Sequence, residues 1–297
     1  MVPRSVFPGC FYLITRRCTQ RQFLLRPGDE TNNAFLYCLG EAAHRYSIEI
    51  ILPSVLSNHY HAVVFDRFGN INQFVEHLHK FVAKCVNSLR GRWENLWAAE
   101  PVCKVKCLQP RDVIAKIVYA ATNPVKDFLV DTVAHWPGVN GLYPLLNDRP
   151  MRAVRPHHFF RDDGPMPAEV TLRLVLPPEL GDPDQLRRII RERVEKIENH
   201  FRARRARTGR RVLGRQRVLR QSWRESPASH EPRRNLRPKL AARSTWARIE
   251  ALQWDRQFVA DYSAARTAWL AKLPAVFPPG TYWLRRFAGV TVAPPPT

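Results

Sequence analysis

The sequence predicts an α+β fold for residues 1–150, an antiparallel sheet with helices on one face, followed by a mainly helical, basic extension over residues 151–297. Three observations predict it. Short strand-like apolar runs alternate with segments whose apolar residues recur at helical spacing. Turn-rich stretches of Gly, Pro, Asn and Asp separate them. Past residue 150 the texture changes to long amphipathic segments joined by Arg- and Pro-rich connections.

In chain order, FYLITRR (11–17) alternates weakly and reads as a first strand. After the turn-like RPGDETNN, residues 34–47 read as a helix, with its N-cap expected among Thr31, Asn32 and Asn33. IEIILP (48–53) and HYHAVVF (59–65) read as two strands joined by a short connection. Residues 70–91 place Phe74, Leu78, Phe81, Val82, Cys85 and Leu89 on one helical face, closed by Gly91. VCKVKCL (102–108) is a fourth strand, and residues 109–122 a helix that Pro124 is expected to end. The order β-α-β-β-α-β-α is that of a ferredoxin-like sheet. Further on, residues 148–167 resemble a linker and 170–180 a strand. A helix capped by Asp182 carries the stripe Leu186, Ile190, Val194, Ile197 and Phe201. A second long helix, from Thr245, places Trp246, Ile249, Val259, Tyr262 and Trp269 at similar spacing. The stretch between these helices is basic and poorly periodic.

The chain has 297 residues, of which 45% are hydrophobic, enough for one large or two modest folded units. No run reaches the roughly 18 apolar residues of a membrane span, and the N-terminus lacks a cleavable signal pattern. Six scattered cysteines in a chain of this size read as reduced thiols of a cytoplasmic protein. Cys103 and Cys107 lack a second pair at zinc-site spacing. The formal net charge is +21, and it is concentrated: residues 201–250 hold 16 Lys and Arg against 3 Asp and Glu. Arginine dominates there, which favours bidentate contact with phosphate. The partner class implied is a polyanion, above all nucleic acid. Arg204, Arg205, Arg207, Arg210, Arg211, Arg215 and Arg217, with Lys126 from the first half, are the candidate DNA contacts.

Two constellations could carry chemistry. On a strand of period two, His59 and His61 share one face and Tyr60 takes the other. Such a pair can pinch a metal ion, or simply line a half-wet strand. His77 and His79 have the same spacing on a helix, where i and i+2 diverge by about 200° and cannot hold one ion. The second constellation is VYAATNPVK, in which Tyr119 and Asn123 lie four apart on one helix face, with Lys116 one turn before the tyrosine. Asn123 offers an oxygen ligand and Tyr119 a nucleophile that Lys116 could favour as phenolate; amphipathic packing and a helix stop are the ordinary alternatives.

His59-Tyr60-His61, followed about sixty residues later by Tyr119-Ala-Ala-Thr-Asn123-Pro124-Val125-Lys126, resembles the single-tyrosine HUH transposases, in particular the REP-associated tyrosine transposase branch. The resemblance spans roughly residues 8–140. It departs from the family pattern at Tyr60, where an aliphatic residue is usual. The resemblance implies His59, His61 and Asn123 as ligands of Mg²⁺ or Mn²⁺ and Tyr119 as the catalytic nucleophile. It also implies single-stranded or hairpin DNA as substrate, a 5′-phosphotyrosine intermediate, and a place in a bacterial cytoplasm, at the nucleoid. A second copy of the chain is a further candidate partner. Three rivals are a domesticated nucleic-acid-binding protein with weak or no cleavage activity, a relaxase or replication initiator, and a small globular protein whose histidine pair is merely solvent-exposed. The second often carries a third histidine or paired tyrosines, which this sequence does not show.

Overall fold

The computed structural model describes residues 4–230 and 238–295. Its centre is a sheet in the order β2-β3-β1-β4-β7. β1 (Cys10–Arg17) leads into α1 (Asp29–Tyr46), then β2 (Ile48–Val55) and β3 (His59–Asp66) form a hairpin. α2 (Ile71–Arg90) crosses to β4 (Cys103–Cys107), and α3 (Pro110–Ala121) with α4 (Asn123–Lys126) follows. β1 pairs antiparallel with both β3 and β4, so residues 10–107 supply four antiparallel strands. Gly91 closes α2 in the left-handed conformation at φ 60°, as a residue without Cβ does most cheaply.

Helices cover both faces of this sheet, not the single face expected. Tyr60 points at α1 and α2, with its ring 5.1 Å from Phe35 and 5.7 Å from His79. His61 points the other way, at α3, with its ring 5.3 Å from Tyr119. The cause is visible in the strands. Leu13 and Val63 face one side, Ile14 and Ala62 the other, and all four are buried. Strands buried on both faces read as continuous apolar runs rather than as alternation.

Two helix ends also differ from expectation. α1 starts five residues early, with Gly28 as N-cap and Asp29 and Glu30 in the first turn, where carboxylates complement the helix dipole. Asn32 and Asn33 are thereby inside the helix, and donate to the Pro137 and Val154 carbonyls instead of capping. Pro124 does not end the helical path. The chain breaks at Thr122, whose hydroxyl turns back to the Val118 carbonyl, and resumes for one more turn. Proline is tolerated there because a first-turn N–H needs no helical partner.

α5 (Leu142–Leu146) follows, and then the expected linker yields a strand: β5 (Met151–Val154) pairs with β6 (Glu169–Leu172). β6 is shorter than the strand expected over 170–180, because beyond it the chain leaves β5, and Val175 N–H bonds the Ile50 carbonyl. This hairpin sits on α1, where a Cβ at Gly40 would stand 3.0 Å from a Val170 methyl, a tight fit. Next come α6 (Pro183–Thr208) and α7 (Arg215–Arg220). Asp182 caps α6 as expected, accepting from Gln185 N–H at 2.7 Å. Leu186, Ile190 and Val194 of α6, with Val218 of α7, belong to the same apolar core as the sheet. Packing therefore crosses residue 150 without a break. β7 (Leu240–Ala241) adds to β4 as a short parallel edge.

α8 (Thr245–Leu270), β8 (Val276–Phe277), α9 (Trp283–Ala288) and β9 (Thr291–Val292) complete the chain. Of the stripe expected to bury α8, Tyr262 lies on the buried face, its ring 5.6 Å from Phe277, while Trp246, Ile249 and Trp269 are exposed. Trp246 is 81% exposed, and Phe258 and Ala265 are the buried residues of the helix. Phe258 stacks on Trp254, which meets Phe7 edge-on at 5.4 Å. Among the described residues no helix is long and apolar enough to cross a membrane.

Ile190→Ala should lower unfolding free energy by about 3 kcal/mol in a urea titration, because it empties a core site shared by α6 and the sheet. Trp246→Ala should change it by no more than about 0.5 kcal/mol.

Candidate active site

β3 and α3 meet on the sheet face away from α1 and α2. The period of β3 places His59 and His61 on that face, their ring centroids 4.9 Å apart. Helical spacing then brings Tyr119 and Asn123 down on His61 together. Asn123 Nδ2 lies 3.2 Å from His61 Nε2. The end of α3 is held over the sheet by Asn140, whose amide donates to the Ala121 carbonyl at 3.0 Å. Asn140 itself sits on β2 because Gly141 N–H bonds the Pro53 carbonyl at 2.8 Å. A Cβ at Gly141 would stand 2.5 Å from Pro53 Cδ, so that approach requires glycine.

Hydrogen bonds set the tautomer of both imidazoles. His59 Nδ1 is 2.7 Å from Asn58 Oδ1, which only accepts, so Nδ1 carries the proton and Nε2 keeps its lone pair. His61 Nε2 faces the Asn123 amide nitrogen, which only donates, so its proton also sits on Nδ1, directed at Thr15 Oγ1 2.8 Å away. Thr15 stands directly opposite His61 in the β1–β3 register. Thr15 and Asn58 are orienting residues that the sequence did not single out. Cross-strand pairing is the signal that finds Thr15, and adjacency to the H-x-H motif finds Asn58.

Burial depresses both histidines. His61 is held well below the usual imidazole range, first by burial and then by His59, Lys116 and Lys126. His59 is lowered to about 4 by burial and by Arg17. Both rings are therefore neutral at pH 7, as metal ligands must be. Tyr119 is shifted up, by burial first and then by Asp127 and Cys103, with the Asn123 side chain partly offsetting the rise. Two ammonium groups flank its ring face, Lys126 Nζ at 4.8 Å and Lys116 Nζ at 5.8 Å from the centroid. Burial outweighs them, so the free protein holds a phenol rather than a phenolate. At 39% exposed, that phenol is still open to an incoming strand.

The residues fit a divalent cation. Asn123 Oδ1 is buried and, among the described residues, finds no hydrogen-bond donor, a deficit of about 1–3 kcal/mol for such a group. A half turn of the amide exchanges Oδ1 with the nitrogen now beside His61 Nε2. That 3.2 Å separation is close to the roughly 3 Å between neighbouring ligands of an ion bound at 2.0–2.3 Å. Among the described residues no three His, Cys, Asp or Glu side chains gather to hold a metal, so an ion at this place relies on the amide oxygen.

The second H-x-H behaves as geometry requires. His77 bonds Glu41 Oε2 at 2.6 Å, while His79 accepts from the Tyr60 hydroxyl at 2.7 Å. Tyr60 is buried among Phe35, His79 and Trp97, which explains a tyrosine between the two site histidines. The predicted arginines lie elsewhere. Arg204 and Arg210 stack on Phe128, just past α4. Arg205 is half-buried, and Arg207, Arg211, Arg215 and Arg217 are exposed.

No protein-family model matches the chain, and no curated protein matches it. Several solved chains are similar, among them two transposases. A REP-associated tyrosine transposase bound to a REP hairpin aligns at 17% identity and TM-score 0.42, over 59% of this chain and 99% of that one. A candidate transposase from Deinococcus radiodurans R1 aligns at 19% identity and TM-score 0.28, over 35% of this chain and 84% of that one.

A pH titration of stability tests the buried imidazoles. His79 is lowered to about 3, mainly by burial, against about 6.5 unfolded. Its contribution is complete above pH 6.5 and is lost as pH falls toward 3. The urea midpoint should therefore decline from pH 6.5 to 4. His79→Gln should flatten that decline by up to one proton, about 1.4 kcal/mol per pH unit.

Proposed function

We propose that the chain is a metal-dependent endonuclease and strand transferase of the single-tyrosine HUH type, acting on single-stranded or hairpin DNA, with a ferredoxin-like sheet as its scaffold. The observation that carries it is the convergence of His59, His61, Asn123 and Tyr119 at one point on the sheet, from segments about sixty residues apart. These are the four positions that the motif resemblance assigns. Their tautomers, neutrality and exposure suit the roles.

His59 Nε2, His61 Nε2 and Asn123 Oδ1 would hold the cation, Mg²⁺ or, with two imidazoles, preferably Mn²⁺. When bound, it supplies Lewis-acid polarisation of the scissile phosphate. Thr15 and Asn58 keep the two rings aimed. Lys126 and Lys116, over the Tyr119 ring, stabilise negative charge as the phenolic oxygen loses its proton. The Tyr119 oxygen attacks phosphorus and the P–O3′ bond breaks, which leaves a 5′-phosphotyrosine. The departing O3′ takes up a proton, balancing the one Tyr119 gives up. The phosphodiester energy is retained in the covalent link, so rejoining needs no nucleotide cofactor.

Incubation with end-labelled single-stranded hairpin DNA and Mn²⁺ should give a denaturant-stable protein–DNA adduct that EDTA prevents. Tyr119→Phe should abolish the adduct, a loss of at least about 10³-fold, while binding the hairpin within about twofold of wild type. Cleavage by Tyr119→Phe at the wild-type rate would contradict the assignment.

A further inference from the structure

Tyr119 has a second neighbourhood, away from the histidines. It lines an open cleft of about 850 Å³ together with residues from three other parts of the chain. α3 and α4 contribute Lys116 and Lys126, α6 contributes Arg193, Lys196 and His200, the segment after β7 contributes Arg243, and the first turn of α8 contributes Arg248. Arg193, Lys196 and His200 are spaced i, i+3, i+7, so one face of α6 turns its cations toward the tyrosine helix.

The lining has one carboxylate, and it is already occupied. Asp112 accepts from Gln109 N–H at 3.1 Å and from Arg243 N–H at 2.8 Å. The second of these bonds, with the pairing of Lys106 to Leu240 and Cys107 to Ala241, pins residues 240–243 against the sheet edge and α3. Asp112 thus sets where Arg243 and Arg248 stand without neutralising either side chain. Among the described residues none of Lys116, Lys126, Arg193, Lys196, Arg243 and Arg248 makes an ion pair. Six cations around an open groove, with Asp127 acting on Lys126 alone among them, are matched by a polyanion. The lining's aromatic rings are Tyr119 and His200, against six cations, so phosphate contact is its main chemistry.

We infer that this cleft holds the sugar–phosphate backbone of the single strand flanking the scissile phosphate, gripped by Arg193, Lys196, Arg243 and Arg248. The inference rests on Tyr119 as the residue that joins that strand. It makes the second half of the chain part of the substrate site, through Arg193 and Lys196 ahead of the basic run of residues 201–250 and Arg243 and Arg248 near its end, none of them among the arginines that the sequence singles out.

Fluorescein-labelled dT25 is the probe, because phosphate contact needs no particular sequence. Binding is read by anisotropy against salt for the full-length protein, with melting temperatures checked for each variant. The double variants Arg193→Ala/Lys196→Ala and Arg243→Ala/Arg248→Ala should each weaken binding about tenfold, and each lower the salt slope by about 1.4, or 0.7 per lost phosphate contact. Arg188→Ala/Arg191→Ala removes the same charge from α6 outside the cleft, and should weaken binding less than about twofold. Equal effects from cleft and control pairs would overturn the inference, since net charge alone would then explain binding. Adduct formation is scored separately. Adducts with unaltered salt slopes in the cleft variants would sink the cleft and leave the nuclease standing. Cleft-dependent binding without any adduct would do the reverse.

Discussion

The pairing of β1 with β3 is the constraint on which the site depends. Arg16 stands opposite Tyr60 and Thr15 opposite His61. That register sends Tyr60 into the pocket of Phe35, His79 and Trp97, and both site histidines to the α3 face. A slip of one residue would exchange the faces, because strand side chains alternate. The histidines would then enter the core beneath α1 and α2, and a buried tyrosine would stand beside Tyr119. The Tyr60–His79 hydrogen bond helps to prevent this, since its partners meet only in the observed register. Core packing on one face of the sheet thereby fixes chemistry on the other.

The electrostatics follow from the same burial. Imidazoles removed from water, close to one another and to Lys116 and Lys126, resist protonation and keep their lone pairs. The tyrosine, removed from water on one side, keeps its proton. The neutral imidazoles and the phenol therefore lie beside the ammonium groups of Lys116 and Lys126. On the proposed function, a phosphate drawn to those ammonium groups would also offset their repulsion of a cation held by the imidazoles and Asn123.

Much of this was legible in the sequence, for physical reasons that can be traced. The strand period settles where His59 and His61 point, and the helix period settles Tyr119 and Asn123; both rules are local. The two-sided helical cover is not marked in the sequence because AVVF and IIL lack the alternation of a half-wet face. β5 falls in a stretch that reads as linker because four residues carry too little pattern to register. The aromatic stripe of α8 misled because exposed tryptophans share the spacing of buried ones. The cleft lay beyond any local rule. Arg193 is brought to it by α6, and Arg243 by an edge strand and Asp112, so elements far apart in the chain meet there.

On the proposed function, one cation would be shared by the two imidazoles and the Asn123 amide, beside the tyrosine. Crystals grown with Mn²⁺ should show an anomalous peak within about 2.3 Å of His59 Nε2, His61 Nε2 and Asn123 Oδ1, with open positions on the side of Tyr119. Manganese bound elsewhere in the chain, with His61 Nε2 still against the Asn123 amide nitrogen, would contradict it.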